Sequence, residues 1–168
     1  EGQMYTRGLR NVYSGKSPGR QRSLPIVITT EHTSTTLQGE GVAIHSYFLP
    51  GHNRVGRLLP MLAARVIRDY QEHYGPYPYK EVYIIEHTGT GVGMAADGFV
   101  LLPTDVYKYQ DLVIPGLFDR LVEGVLTHEI AHHYWGIGIG MDLDAENWLS
   151  EGFAQYLSIS YYERYYGA

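Results

Sequence analysis

The chain has 168 residues and a formal net charge of −5, with 44% hydrophobic and 18% charged residues. This length and composition fit one folded domain or a large part of one, and they exclude an ordinary disordered chain. The sequence contains no cysteine, which excludes disulfide frameworks and thiolate metal sites, and its mild acidity argues against nucleic-acid binding. The longest apolar runs span only a handful of residues, so we predict no transmembrane helix within the chain.

The first 23 residues carry a charge opposite to that of the rest of the chain. They contain five basic residues and one acidic residue, Glu1, which gives a net charge of +4. The segment 14–19 has the Ser, Gly and Pro composition of a turn or linker. We therefore predict that residues 1–23 form a linker, a hairpin or the end of a preceding domain, and that a folded domain occupies residues 24–168. A basic docking arm is the alternative for the first segment.

Strand signals outnumber helix signals along roughly the first hundred residues. Runs rich in β-branched and aromatic residues predict short strands over Pro25–Thr30, Val42–Leu49, Glu81–Glu86 and, as an extended edge, Phe99–Pro103. Apolar residues at three- and four-residue intervals predict a helix over Arg54–Tyr74, in which Pro60 fits only close to the helix start. The glycine-rich segment 89–93 is not followed by the Lys and Ser or Thr of a phosphate-binding loop, so we do not assign it that role.

Two further helices are predicted in the second half of the chain. The first opens at Pro115 and ends at Gly136, because apolar residues recur at helical spacing between them. The second runs from about Ser150, as its N-cap, to Tyr166. Strands thus come first and helices later, which indicates an α+β fold rather than a doubly wound α/β sheet.

The first of these helices contains the sequence His128-Glu129-Ile130-Ala131-His132. Residues four apart lie about 40° apart around a helix, so both imidazoles point to one side within reach of a single ion. Neutral imidazole suits Zn²⁺, and Glu129 lies where its carboxylate can meet a water on that ion. His133 points elsewhere and is predicted to be a neighbour at the helix end. The alternative is an exposed charged helix with incidental histidines.

A third metal ligand is predicted at Glu151, with 18 residues between it and His132. A catalytic zinc site uses three protein ligands and keeps one position open for water. On its own, Glu151 would be interpreted as a first-turn carboxylate favoured by the helix dipole. Together with the two histidines it completes a His₂Glu set. Gly152 lowers helix propensity beside it, which we attribute to close backbone packing.

The spacing of these motifs resembles that of a known enzyme family. The segment His128–Gly136, followed after its gap by Trp148–Ala154 (Trp-Leu-Ser-Glu-Gly-Phe-Ala), resembles the aminopeptidase N family of gluzincin metallopeptidases. The segment Tyr74–Tyr79 resembles the Phe-Gly-x-Tyr-Pro-Tyr sequence that leads into a strand in that family. The resemblance covers roughly residues 45–160.

The resemblance implies a fold, a cofactor and a set of residue roles. His128, His132 and Glu151 would bind one Zn²⁺, and Glu129 would be the catalytic base in the hydrolysis of a peptide substrate. The implied fold is the N-terminal lobe of a thermolysin-like catalytic domain, with a mixed sheet and an active-site helix. The rest of that domain, including the transition-state Tyr of the family, is expected outside this chain, so the isolated chain would lack the full catalytic set. An Asp or Glu that orients the histidine ligands is also expected.

One stretch departs from the family pattern. The family carries Gly-Ala-Met-Glu-Asn on its edge strand, and the Glu holds the free amine of the substrate. Aligning this chain on Met94 puts Ala95 at that position, and aligning it on Gly93 puts Ala96 there. Met94, Ala95 and Ala96 are therefore assigned to substrate binding without an amine-anchoring carboxylate. The alternative to an enzyme is a non-catalytic domain that keeps zinc for structure or for peptide binding.

Overall fold

The computed structural model describes residues 2–7, 10–17, 20–89, 91–109 and 119–167. This part of the chain combines helices with a mixed β-sheet, so the predicted α+β class is confirmed. None of the helices in the described ranges is long and apolar enough to cross a membrane.

Helices and strands follow one another along the described residues. In chain order they are β1 (Gly2–Arg7), β2 (Arg10–Gly15), β3 (Thr33–Gly39), β4 (Val42–Phe48), α1 (Asn53–Tyr74), β5 (Glu81–His87), β6 (Met94–Ala96), β7 (Phe99–Pro103), α2 (Thr104–Tyr109), α3 (Asp119–His132), β8 (Trp135–Gly136), β9 (Ile139–Gly140) and α4 (Leu143–Tyr166). β1 and β2 pair antiparallel as a hairpin. β8 and β9 form a short parallel pair directly after α3.

The main sheet has the strand order β3-β4-β5-β7-β6. β4, β5 and β7 are parallel to one another, whereas β3 and β6 run antiparallel to their neighbours. The predicted edge position of the strand Phe99–Pro103 is wrong, because β7 lies between β5 and β6. Val100 and Leu102 are fully buried there. Strand propensity does not distinguish inner from outer strands, since the neighbours of a strand decide which it is. β6 is the outer strand on this side of the sheet, and β3 is the outer strand on the other.

The predicted strand over Pro25–Thr30 is also wrong. This segment forms no strand, and Ile26 and Ile28 are 74% and 90% exposed. The missed strand β3 pairs with β4 through a two-residue turn in which Glu40 and Gly41 both have positive φ, 58° and 77°. Such turns match the twist of a hairpin. The turn therefore selects the polar segment β3 over the more β-branched one before it.

α1 begins one residue before its predicted start and ends where predicted. Pro60 lies well inside this helix rather than near its first turn, which corrects the prediction and removes one helical hydrogen bond. Gly56 lies against the sheet, because a Cβ built there would be 2.1 Å from the ring of Phe48. α1 can therefore approach β4 closely and bury an apolar face against the sheet.

The bounds of α3 differ from the prediction at its end. The predicted start at Pro115 lies outside the described residues, which resume at Asp119. The helix ends at His132, four residues before Gly136, and the chain turns into β8. Gly136 has φ 103°, a conformation that favours glycine. The turn directs the chain away from the α3 axis toward β9 and α4.

α4 begins earlier than predicted. Asp142 caps it by accepting hydrogen bonds from the backbone amides of Asp144 and Ala145, and a kink at Glu146 follows. Ser150 is therefore an interior residue of the helix and not its N-cap, and Glu151 is not in the first turn. The kink interrupts the apolar period, which explains why the sequence pattern starts only near Ser150.

Buried polar side chains fix α1, α3 and α4 relative to one another. Tyr70 of α1 is fully buried and donates a hydrogen bond of 3.0 Å to the backbone carbonyl of Thr127 in α3. Arg164 of α4 forms an ion pair with the buried Asp69 of α1. Because α3 and α4 carry the candidate ligands, these contacts set the distance across the site.

Candidate active site

Two helices bring the three predicted metal ligands together. The Nε2 atoms of His128 and His132, both on α3, lie 3.1 Å apart. Glu151 on α4 places its Oε2 atom 3.1 Å from His128 Nε2 and its Oε1 atom 3.6 Å from His132 Nε2. All three donor atoms lie within 4.8 Å of one another. The spacing of four residues on α3 therefore places both imidazoles on one side, opposite the carboxylate.

These distances suit a tetrahedral ion. Zinc with ligand bonds of 2.0–2.1 Å places neighbouring donor atoms about 3.3 Å apart, and the observed separations of 3.1 to 3.6 Å lie around that value. Two imidazole nitrogens and one carboxylate are a donor set that zinc uses in catalytic sites. The side chain of Glu151 is 51% exposed, so the side of the cluster that faces the cavity is accessible to water. The residues present fit the metal that the sequence predicts.

The outer nitrogen of one ligand has neutral partners. His132 Nδ1 lies 3.2 Å from Ser150 Oγ and 3.4 Å from the backbone carbonyl of Trp135. Among the described residues, the orienting groups of this histidine are thus a hydroxyl and a carbonyl rather than the expected Asp or Glu. The sequence could not select them, because serine at a helix start is also a common cap.

The predicted base, Glu129, follows His128 directly in the sequence of α3 and is 4% exposed. Burial, and then the negative charge of Glu151, raise the pKa of its carboxyl group to about 8. A cation at the three-donor cluster would act in the opposite direction and favour the carboxylate. Gly93 lies directly against this side chain, because a Cβ built at Gly93 would be 2.5 Å from Glu129 Oε1. The sequence pattern around Gly93 does not predict that contact.

A cavity of about 1080 Å³ opens over the cluster between α3, α4 and β6. Met94 and Ala95, two of the three residues assigned to substrate binding, line it together with Val92 and Glu129. Ala96, the third, is not among the lining residues and pairs with Phe99 of β7. The cavity is large enough for a short peptide segment, since pockets that bury drug-sized ligands measure about 300–1,000 Å³.

Asp97, which follows β6, serves the fold rather than the cavity. It is buried and accepts hydrogen bonds from the backbone amide and hydroxyl of Ser23 at 2.7 and 2.8 Å, from the amide of Arg22 at 3.0 Å and from Tyr79 at 3.1 Å. Burial alone would raise the pKa of Asp97, but these donors outweigh it and hold the pKa below its usual value. Asp97 therefore fixes the turn between β6 and β7.

His133 is a structural residue at the end of α3, as the sequence analysis expects. It is fully buried; one ring nitrogen hydrogen-bonds the Tyr77 hydroxyl and the other lies 3.1 Å from the carbonyl of Phe99. Burial lowers its pKa to about 4, so it is neutral at physiological pH. Tyr134 donates to the carbonyl of Gly75. The segment Tyr74–Tyr79 thus packs against the end of α3, directly after His132, and His133 links that end to β7 of the sheet.

Gly152 does not have the role that the sequence analysis gives it. A Cβ built there meets no atom within 4 Å, and the residue is exposed. We expect Gly152→Ala to raise the free energy of unfolding by about 1 kcal/mol, because alanine is the better helix former. Denaturant unfolding of the two proteins measures the difference. A loss of stability would show that the backbone at this position requires glycine.

Several known proteins are similar in sequence to this chain. Residues 61–168 match the Peptidase family M1 domain. The chain is 28% identical to alanine/arginine aminopeptidase from Saccharomyces cerevisiae over 70% of its own length and 14% of that protein. It is also 28% identical to aminopeptidase N from Lactobacillus delbrueckii subsp. lactis, over 86% of the chain and 17% of that protein. With human aminopeptidase O it shares 34% identity over 49% of the chain and 9% of that protein.

The family match covers more than half of the chain, and the chain therefore belongs to peptidase family M1. This membership confirms the resemblance to the aminopeptidase N family that the sequence motifs indicate. The chain spans about a seventh of the length of the curated relatives it matches first.

Proposed function

We propose that this chain carries the zinc site of a metallopeptidase that hydrolyses peptide bonds. The observation that carries the proposal is the convergence of His128, His132 and Glu151 on one point beside the buried carboxylate of Glu129. The mixed sheet and the helix that holds the two histidines support a thermolysin-like lobe as the framework. The relatives named as aminopeptidases support the class of reaction.

In the proposed mechanism, each residue of the site has a distinct task. His128, His132 and Glu151 hold the metal, which when bound supplies Lewis-acid polarisation of a carbonyl and acidification of water. Glu129 accepts a proton from water in the cavity and delivers it to the leaving amine. β6, the outer strand on the cavity side of the sheet, offers main-chain groups on its open side to an extended peptide.

The substrate-facing strand shapes the proposed specificity. Met94 and Ala95 line the cavity, and β6 contributes no carboxylate to it. We therefore propose peptide-bond hydrolysis in which this strand provides apolar contacts and does not anchor a free amine. The same alanine motivates the alternative, a non-catalytic zinc-containing domain. Burial of the Glu129 carboxylate beside the cluster favours the enzyme, because a structural metal site does not need a base there.

Zinc removal tests the metal site in the intact protein. Zinc at 100 times its dissociation constant should stabilise the folded state by about 2.7 kcal/mol. A chelator should therefore lower the melting temperature of the wild-type protein, and added zinc should restore it. Metal analysis of the purified protein should give one zinc per chain.

Two variants of α4 serve as a pair for this experiment. Glu151→Gln should abolish most of the zinc-dependent stabilisation, because it weakens one of three ligands. Glu163→Gln changes an exposed carboxylate further along the same helix and should leave that stabilisation intact. A wild-type protein with no bound zinc and no chelator effect would overturn the proposed function.

A further inference from the structure

The imidazole of His132 lies between two consecutive residues of α4. On its outer side, Nδ1 is 3.2 Å from Ser150 Oγ. On its inner side, Nε2 is 3.6 Å from Glu151 Oε1. Ser150 is 3% exposed, so its hydroxyl is shielded from bulk water. One turn of α4 therefore contacts both nitrogens of the same ring.

The hydroxyl reaches the ring because Gly136 leaves space for it. A Cβ built at Gly136 would lie 2.2 Å from Ser150 Oγ and 3.6 Å from His132 Nδ1. The first distance is far below van der Waals contact. A larger residue at this position would displace the serine hydroxyl from the imidazole.

We propose that Ser150 and Gly136 are positioning residues for the metal ligand His132, an inference that rests on the proposed zinc site. The Trp135 carbonyl can only accept, so Nδ1 carries the proton and the Nε2 lone pair faces the proposed metal. The Ser150 hydroxyl is a second acceptor for this Nδ1–H and holds the orientation of the ring. Gly136 keeps the hydroxyl within reach. Outer partners of this kind orient metal-bound histidines, and their loss weakens metal affinity or activity by about 10–100-fold.

The first test compares two serines of α4 in the intact protein. Ser150→Ala removes the hydroxyl at the ring, whereas Ser158→Ala removes a buried hydroxyl that contacts Thr127 Oγ1 of α3 at 2.7 Å and does not touch a ligand. We expect Ser150→Ala to weaken zinc binding about tenfold in competition with a chromogenic chelator. Ser158→Ala should stay within about twofold of the wild type. The visible absorption of the Co²⁺-substituted protein should change in the first variant only.

A double-mutant cycle that combines Gly136→Ala with Ser150→Ala tests the same contact. Gly136→Ala should weaken zinc binding strongly in the wild type, because the new Cβ displaces the Ser150 hydroxyl. In the Ser150→Ala background the added loss should be several-fold smaller. Backbone strain from the positive φ is common to both backgrounds and cancels. If the loss of zinc affinity in the double variant equals the product of the losses in the two single variants, the inference is overturned.

The outcomes separate this inference from the proposed function. A wild-type protein that binds no zinc refutes the zinc site itself. A wild-type protein that binds zinc, with Ser150→Ala indistinguishable from Ser158→Ala in affinity and Co²⁺ spectrum, refutes only the positioning role.

Discussion

Replacing Glu129 with glutamine is expected to lower kcat for peptide hydrolysis by about 10²–10⁴-fold, the usual contribution of a general acid–base group. Glutamine keeps the size of the side chain but cannot accept a proton from water. His128, His132 and Glu151 are unchanged in this variant, so zinc should remain bound.

The measurement needs both activity and metal content. Steady-state hydrolysis of a peptide by the intact protein gives kcat, and metal analysis of the same preparation gives zinc per chain. Glu72→Gln, which changes an exposed carboxylate on α1, should retain wild-type kcat. Undiminished hydrolysis by zinc-loaded Glu129→Gln would refute the role of Glu129 as the base. Loss of zinc in this variant would refute the expectation that Glu129 does not contribute to metal binding.

The convergence of the candidate metal ligands could be predicted in part, because half of it follows from local geometry. Helical spacing alone places His128 and His132 on one side of α3. Local geometry does not predict the position of Glu151. Its approach to the two histidines depends on the return of the chain through β8, β9 and the capped start of α4. The gap of 18 residues between His132 and Glu151 permits that return without dictating it.

Strand order and strand identity could not be obtained in the same way. The β-branched run Pro25–Thr30 has the stronger propensity, yet β3 is the segment that pairs, because the turn at Glu40 and Gly41 aligns it with β4. The position of β7 inside the sheet likewise depends on β6 pairing beyond it. Pairing of this kind is a property of the tertiary structure, so a local pattern does not determine it.

The supporting residues of the site were missed for a related reason. Gly93 and Gly136 matter because of what lies beside them, Glu129 in one case and Ser150 in the other. A glycine needed for close approach has the same sequence signature as a glycine needed for a turn. Ser150 likewise resembles a helix cap in sequence. The structure shows which glycines lie in close contact with a neighbouring side chain. Gly152 is not one of them, because it lies beside open space.

Gly93→Ala is expected to reduce kcat/KM about 10²-fold, the loss that a misplacement of about 1 Å in a catalytic group can produce. The new Cβ would lie 2.5 Å from Glu129 Oε1 and 2.8 Å from its Cδ and Cγ atoms. These contacts are far too short, and the flexible end of the Glu129 side chain is the part that can move. The carboxylate should therefore shift while the fold and the three metal ligands stay in place.

Gly152→Ala is the matched control, because it makes the same substitution next to a ligand but in open space. Its kcat/KM should stay within about twofold of the wild type, and both variants should bind zinc with wild-type affinity. In the Glu129→Gln background, Gly93→Ala should cause little further loss, since it acts through a carboxylate that is no longer there. An equal loss in both backgrounds would mean that Gly93 acts on the substrate through β6 rather than on the base.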